Sequence, residues 1–290
     1  MTNERKALIF GLISVAMWST VATGFKLGLA IMTVSQLLFL GTLFSWLIFL
    51  FAALAARSLH IEVEDRWLVA GLGLLNPFIY YLTLFTAYDL LPAHVAQPIN
   101  YTWAITLALL SIPILKQRLT ARNLIAIVIS YAGVVVVLTS ATMTSDKAIN
   151  TTGVFLALIS TIFWALYWLL NTRCRSEPRA IMFWSFTAAL PPITLTALIL
   201  DGLPAITPTN ILYGTWVGAL EMGITFLTWQ TALRLTDQAA RIGQLIFLSP
   251  FLSMILIYLV LGEAIGWGAV LGLAVIVAGL HLNQKNPSAN

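Results

Sequence analysis

The groups in this chain that could do chemistry are polar side chains inside long apolar stretches. Asn76, Tyr80 and Thr83 stand at i, i+4 and i+7, and Glu221, Thr225 and Thr228 take the same three places 145 residues later. In a continuous helix each set shares one face. Glu221 is the only acid clearly inside an apolar stretch. An acidic group at the centre of a membrane helix costs about 3 kcal/mol on insertion scales. It can hold a substrate ammonium or a coupling proton, or it can stay protonated or bond a neighbouring helix. Gln97, Asn100, Tyr101 and Trp103 follow His94 in a stretch interrupted by Pro98, and Gln244, Ser249 and Ser253 precede or flank Pro250. Amides and hydroxyls at such depth bind a polar solute or join helices; for Ser249 and Ser253 the second role is expected.

Aromatic residues complete the set. Trp18 and Trp164 sit half-way along their apolar runs, where an interfacial belt does not account for them, and Trp168 continues the face of Trp164. Trp67, Trp216 and Trp267 lie near the ends of runs and read as belt residues. Rings stack on rings and attract cations, so this combination suits a small zwitterionic or neutral solute with an aromatic or apolar part. The candidate binding residues are therefore Trp18, Asn76, Tyr80, Gln97, Asn100, Tyr101, Trp103, Trp164, Trp168, Glu221 and Gln244, with Glu221 also a candidate for proton coupling. Catalysis is not indicated. The chain has no G-x-x-x-x-G-K-[ST], H-E-x-x-H or G-x-S-x-G, its three histidines are scattered, and its lone Cys174 can form neither an internal disulfide nor a thiolate cluster. No metal or cofactor is implied.

The elements that must position these residues are membrane helices. The chain is 60% hydrophobic and 9% charged, with mean hydropathy +0.93, against about 25% charged residues in a soluble domain. Runs of about 20 apolar residues predict ten spans near 7–30, 34–56, 67–88, 93–115, 120–140, 152–172, 180–200, 209–233, 239–261 and 264–283. The first is read as a retained span, not a signal peptide. With the N-terminus inside, thirteen of the fifteen Lys and Arg fall on inner segments and only Lys26 and Lys147 outside, which predicts cytoplasmic termini by the positive-inside rule. The net charge of +4 is thus no nucleic-acid footprint.

The chain also repeats itself. Gly73–Leu90 matches Gly218–Leu235 at eight of eighteen positions, Leu12-Ile13-Ser14 with Trp18 returns as Leu158-Ile159-Ser160 with Trp164, and Ala132-Gly133 returns as Ala278-Gly279, all at offsets of 145 or 146. Two halves follow, 1–145 and 146–290. Five spans is an odd number, so the second half is expected to cross in the opposite sense; Asp89 ends span three outside where its counterpart Arg234 ends span eight inside. Inverted repeats of this kind place a solute site near the midplane between the halves. Gly71/Gly73, Gly262/Gly266 and Gly268/Gly272 suggest close helix packing, and the Gly268–Gly279 stretch a dimer face.

The order of these elements resembles the drug/metabolite transporter superfamily, EamA type. Leu12–Trp18 and Ile159–Trp164 open the two halves, and Pro250, Leu261-Gly262-Glu263 and Gly272–Gly279 close the second; Lys116-Gln117-Arg118 departs from the acid the family often has there. Tyr80, Tyr101, Trp103, Trp18 and Trp164 together resemble the YddG-like aromatic amino-acid exporters within it. The resemblance implies an inner-membrane exporter of aromatic and other large neutral amino acids. It also implies a central cavity lined mainly by helices one, three, four, six, eight and nine. Membrane lipids are the expected surroundings, in a monomer or weak dimer that binds no nucleic acid. A broad exporter of drugs and other amphiphiles, or a facilitative channel, fits the same lining. A membrane enzyme or a receptor fits it less well.

Overall fold

A computed structural model describes residues 2–115, 121–144, 149–236, 242–243 and 245–284. Among these there are helices and turns and no strand. Ten helical rods follow in order: α1 (Asn3–Leu29), α2 (Val34–Ala55), α3 (Val63–Leu90), α4 (Ala93–Tyr101 and Trp103–Leu115), α5 (Ala121–Thr144), α6 (Thr151–Asn171), α7 (Pro178–Leu200), α8 (Pro208–Leu235), α9 (Leu245–Leu261) and α10 (Trp267–Gln284). Seven are long and apolar enough to cross a membrane by themselves; α9 and α10 are shorter apolar helices, and α4 is interrupted at Thr102.

Local chemistry sets the ends. The turn after α1, faint in the hydropathy pattern, is marked by a capping box in which Thr33 and Gln36 each bond the other's backbone N–H. Asn150 and Thr207 cap α6 and α8 through the amides of Gly153 and Asn210, and Pro178 and Pro208 occupy first-turn positions where no N–H is needed.

Helices of the first half pack mostly on helices of the second. The main pairings are α1 with α8, α6 with α3, α2 with α7, α5 with α10, α4 with α6 and α9 with α1. Serines fasten them: Ser45 donates to the Gly218 carbonyl (2.9 Å), Ser185 to Val69 (3.1 Å) and Ser130 to Ile276 (3.2 Å). The α5–α10 seam is close enough that a Cβ on Gly272 would stand 2.7 Å from the Gly133 carbonyl. The Gly268–Gly279 stripe therefore packs inside the chain against α5, as close helix packing predicts. Gly262 does not pack; its φ of 67° makes the turn after α9.

The turns form two bonded groups. Ser35 donates to the Asp201 carboxylate and Gln36 to the carbonyls of Asp201 and Gly202, which joins the α1–α2 and α7–α8 turns. Lys26 and Glu263 bind the α3–α4 turn in the same region, here called the far end. At the near end, Asp65 accepts from the amides of Arg175 and Ser176 and from the Ser176 hydroxyl, which joins the start of α3 to the α6–α7 turn. Glu4 bonds Thr236 there, and Arg234 lies 3.4 Å from Glu177.

Candidate functional site

Two interrupted helices shape the centre. In α3 the backbone at Asn76 is extended (φ −145°, ψ 116°), and in α8 residues Val217–Gly223 form a widened turn ending at Gly223 (φ −110°, ψ −91°). Each break resets the rotation of the helix after it. The expected Asn76–Tyr80–Thr83 face is lost for that reason. Beyond the breaks, α3 turns Tyr80, Leu84 and Tyr88 inward and α8 turns Trp229 and Leu233 inward, in steps of four, the spacing of a helix stripe. Glu221 lines the cavity from the widened turn of α8 itself.

The space they enclose is a cavity of about 410 Å³. It is walled by α1, α3, α4, α6 and α8, with Gly243 and Ile246 at the start of α9. Trp18, Tyr80, Gln97, Asn100, Tyr101, Trp103, Trp164, Trp168 and Glu221 all line it. Asn76 does not: it is buried in the broken turn of α3 with its Oδ1 unpartnered. Gln244 lies outside the described residues. Sequence reasoning missed Phe25, Tyr88 and Trp229 on the wall, and Tyr81 behind it. Tyr88 stands eight residues after Tyr80, so extending that stripe by two turns would have found it; Trp229 lies beyond the break of α8, where spacing counted from Glu221 no longer holds.

The wall is aromatic. Tyr80 lies 4.7 Å from Trp164, Trp18 5.3 Å from Trp229, and Trp168 stacks on Phe226 at 6.3 Å and 12°. Such ring pairs contribute about 0.5–1.5 kcal/mol each beyond their buried area. Its polar groups are few and specific. Glu221 is 7% exposed and accepts a bond from the Tyr81 hydroxyl, 2.9 Å to Oε1. No Lys, Arg or His stands among the described lining residues, and no ion pair among the described residues involves Glu221.

Some of the other polar groups serve the fold. Tyr101 donates to Ser249 (2.9 Å) and Asn100 to Ser160 (3.0 Å); Thr228 bonds Ser14 (2.8 Å), and Thr225 turns back onto its own helix. Ser249 thus joins helices as expected, and Thr225 and Thr228 form no polar stripe toward α3. Two buried polar atoms of lining residues, the Trp164 Nε1–H donor and the Gln97 Oε1 acceptor, have no partner. Buried polar atoms in native proteins are usually bonded. Trp67 and Trp267 are exposed as belt residues would be. Trp216 is not: its Nε1–H donates to Thr20 (3.0 Å) and its ring packs over Gly24. Among the described residues, no cluster of His, Cys, Asp or Glu could hold a metal ion.

The fold and the cavity together define a polytopic membrane protein with a solute-sized aromatic chamber at its centre. The chain belongs to the EamA-like transporter family: the family profile matches residues 5–139 and again residues 151–283. Its relatives are distant. A probable amino-acid metabolite efflux pump of Salmonella typhimurium is 25% identical over 74% of this chain and 76% of its own length. An aromatic amino acid exporter, YddG, of Ancylobacter novellus is 26% identical over 79% and 80%. An uncharacterized transporter of Clostridium kluyveri is 27% identical over 66% and 67%. A crystal structure superposes with a TM-score of 0.66 over 95% of both chains at 22% identity, a likeness of fold alone.

Proposed function

We propose that the chain exports aromatic and other large neutral amino acids across the inner membrane by alternating access. The observation that carries this reading is the carboxylate of Glu221, with no cationic partner among the described residues, in a chamber of Trp and Tyr rings. The substrate ammonium meets Glu221, its side chain lies among Trp18, Tyr80, Trp164 and Trp168, and its carboxylate takes the unpartnered Trp164 Nε1–H, which turns out of its buried position to reach it. Gln97, Asn100, Tyr101 and Trp103 supply the opposite wall. Glu221 is the one carboxylate among the described lining residues, so proton exchange within the chamber would pass through it.

The two halves act as an inverted pair. The family profile matches twice, and the pairings between helices exchange into one another when each helix is replaced by its counterpart five places on. The bonded turns support inversion: α1–α2 meets α7–α8 at one end, and α2–α3 meets α6–α7 at the other. The distribution of Lys and Arg favours a cytoplasmic near end.

The test is a proteoliposome panel. Labelled Phe and Trp should enter saturably and show counterflow, which separates a carrier from a channel. Uptake no faster than in empty vesicles, for amino acids and for cationic dyes alike, removes the transport reading. The apolar share of the wall favours a second reading, a broad exporter of amphiphiles, since hydrophobic pockets separate near neighbours weakly; equal rates for dyes and for Phe would select it.

A further inference from the structure

One turn at the far end is held from both sides by opposite charges. The Lys26 ammonium, on α1, donates to the carbonyls of Tyr88 (2.8 Å) and Leu91 (3.1 Å), where α3 ends. The Glu263 carboxylate, after α9, accepts from the amides of Ala93 (2.9 Å) and His94 (3.1 Å), the first of α4, and meets His94 Nδ1 at 2.6 Å. Each charge has the sign its helix end favours, cation at carbonyls and anion at amides. The stapled turn lies directly over the far wall of the cavity, which is made by Phe25, Leu84 and Tyr88, all nearly fully buried. Phe25 and Tyr88 pack edge to face at 5.2 Å.

The near-end counterpart of Lys26 carries no charge: offset by 146 it is Thr172, while the counterpart of Glu263 is Gln117, which lies outside the described residues. Thr172 is exposed and lines the cavity. The near-end pairs Glu4–Thr236 and Arg234–Glu177 involve no residue of the cavity wall.

We propose that Lys26 and Glu263 are the latch of an outer gate. They clamp the α3–α4 turn over the chamber, so that the protein rests open toward the cytoplasm and must release both contacts to open outward. The inference rests on the alternating-access reading above, but its test does not need transport. Leu84→Cys, in a Cys174→Ser background, places a thiol on the cavity wall beneath the latch. Cells are treated from outside with a membrane-impermeant methanethiosulfonate. The parent should be protected. Lys26→Met and Glu263→Gln should each label at least tenfold faster, and Lys26→Arg should restore protection. Should Met or Gln prevent folding, as read by melting in detergent, Lys26→Gln and Glu263→Asp take their place, with the same direction of change expected. Fast labelling of the parent, or rates unchanged in folded variants, overturns the latch. Absent transport with the labelling pattern intact would defeat the exporter reading and leave the gate standing.

Discussion

At the scale of single residues, the chamber makes distinct demands on Glu221, Tyr81 and Trp164. Glu221 accepts from the Tyr81 hydroxyl and has no cation among the described residues around it. Glu221→Gln keeps the shape and removes the charge that an ammonium would meet. Losing one partner of a buried charged pair costs about 2–5 kcal/mol, and each tenfold in affinity is about 1.4 kcal/mol. The expected outcome is a KM for Phe raised more than tenfold in counterflow assays, together with loss of any response to an imposed pH gradient. An unchanged KM and an unchanged pH response would strip Glu221 of both roles. Trp164→Phe is the complementary probe. It keeps a ring beside Tyr80 but deletes the unpartnered Nε1–H. Affinity for Phe should fall several-fold while that for phenethylamine, which has no carboxylate, stays level; an equal fall for both would mean that only ring area matters there.

At the scale of helices, the sequence was legible wherever a rule of continuous periodicity applied. The described parts of all ten predicted spans fall on helical rods, because twenty apolar residues demand a helix in lipid; most of the predicted start of the ninth, before Leu245, lies outside the described residues. The interior of α3 was not legible in the same way. Spacing at i, i+4 and i+7 assumes an unbroken helix, and the extended backbone at Asn76 violates that assumption. Pro77 signalled a break but not the rotation that follows it. Trp216 failed as a belt residue for a related reason: its position near a helix end says nothing of Thr20 and Gly24, which come from α1. Glycines can now be ranked by what they touch. A Cβ on Gly73 would collide with the Ser185 carbonyl, whereas one on Gly71 meets nothing within 4 Å. Gly73→Ala should therefore destabilise by about 1–3 kcal/mol and lower the melting temperature in detergent, while Gly71→Ala leaves it level or slightly raised. Similar melting of the two variants would contradict the packing of α3 on α7.

The latch adds a pH argument at the same scale. Burial works against the charge of Glu263, yet the bond from the His94 side chain and the two amide bonds outweigh it and hold its carboxyl below the usual carboxylate range. A carboxyl lowered in this way stabilises the folded turn at any pH above its ordinary value, about 4.3, and that contribution is lost as pH falls through the lowered value. Outside labelling of Leu84→Cys should accordingly stay slow at pH 5 and rise only under stronger acid. A rise already between pH 7 and 5 would mean that another group controls the gate.

At the scale of the whole molecule, the question is how two copies of one sequence come to enclose a site with only one carboxylate in its described wall. If the copies ran parallel, counterpart residues would sit at the same end of the bundle and could not meet across a twofold axis in the membrane plane. The hydrogen bonds between turns favour the inverted arrangement. Ser35 and Gln36 reach Asp201 and Gly202, and Asp65 reaches Arg175 and Ser176. Because α2 separates the first of these contacts from the second, they lie at opposite ends, which supports α6 running opposite to α1. The proposed inversion lets divergence act on each end separately, which is how Lys26 and Thr172 can differ while Trp18 and Trp164 stay alike. Two cysteine pairs test this directly in a Cys174→Ser background. Gln36→Cys with Gly202→Cys, and Glu62→Cys with Ser176→Cys, replace residues already in contact across the turns. Both pairs should cross-link on mild oxidation. The first should then be reduced by an impermeant phosphine added outside whole cells, and the second only after the membrane is opened. Failure of both pairs to cross-link would mean that the halves do not run inverted, and reduction of both from the same side would mean that α2 does not cross; in either case the midplane chamber would lose the symmetry on which alternating access depends.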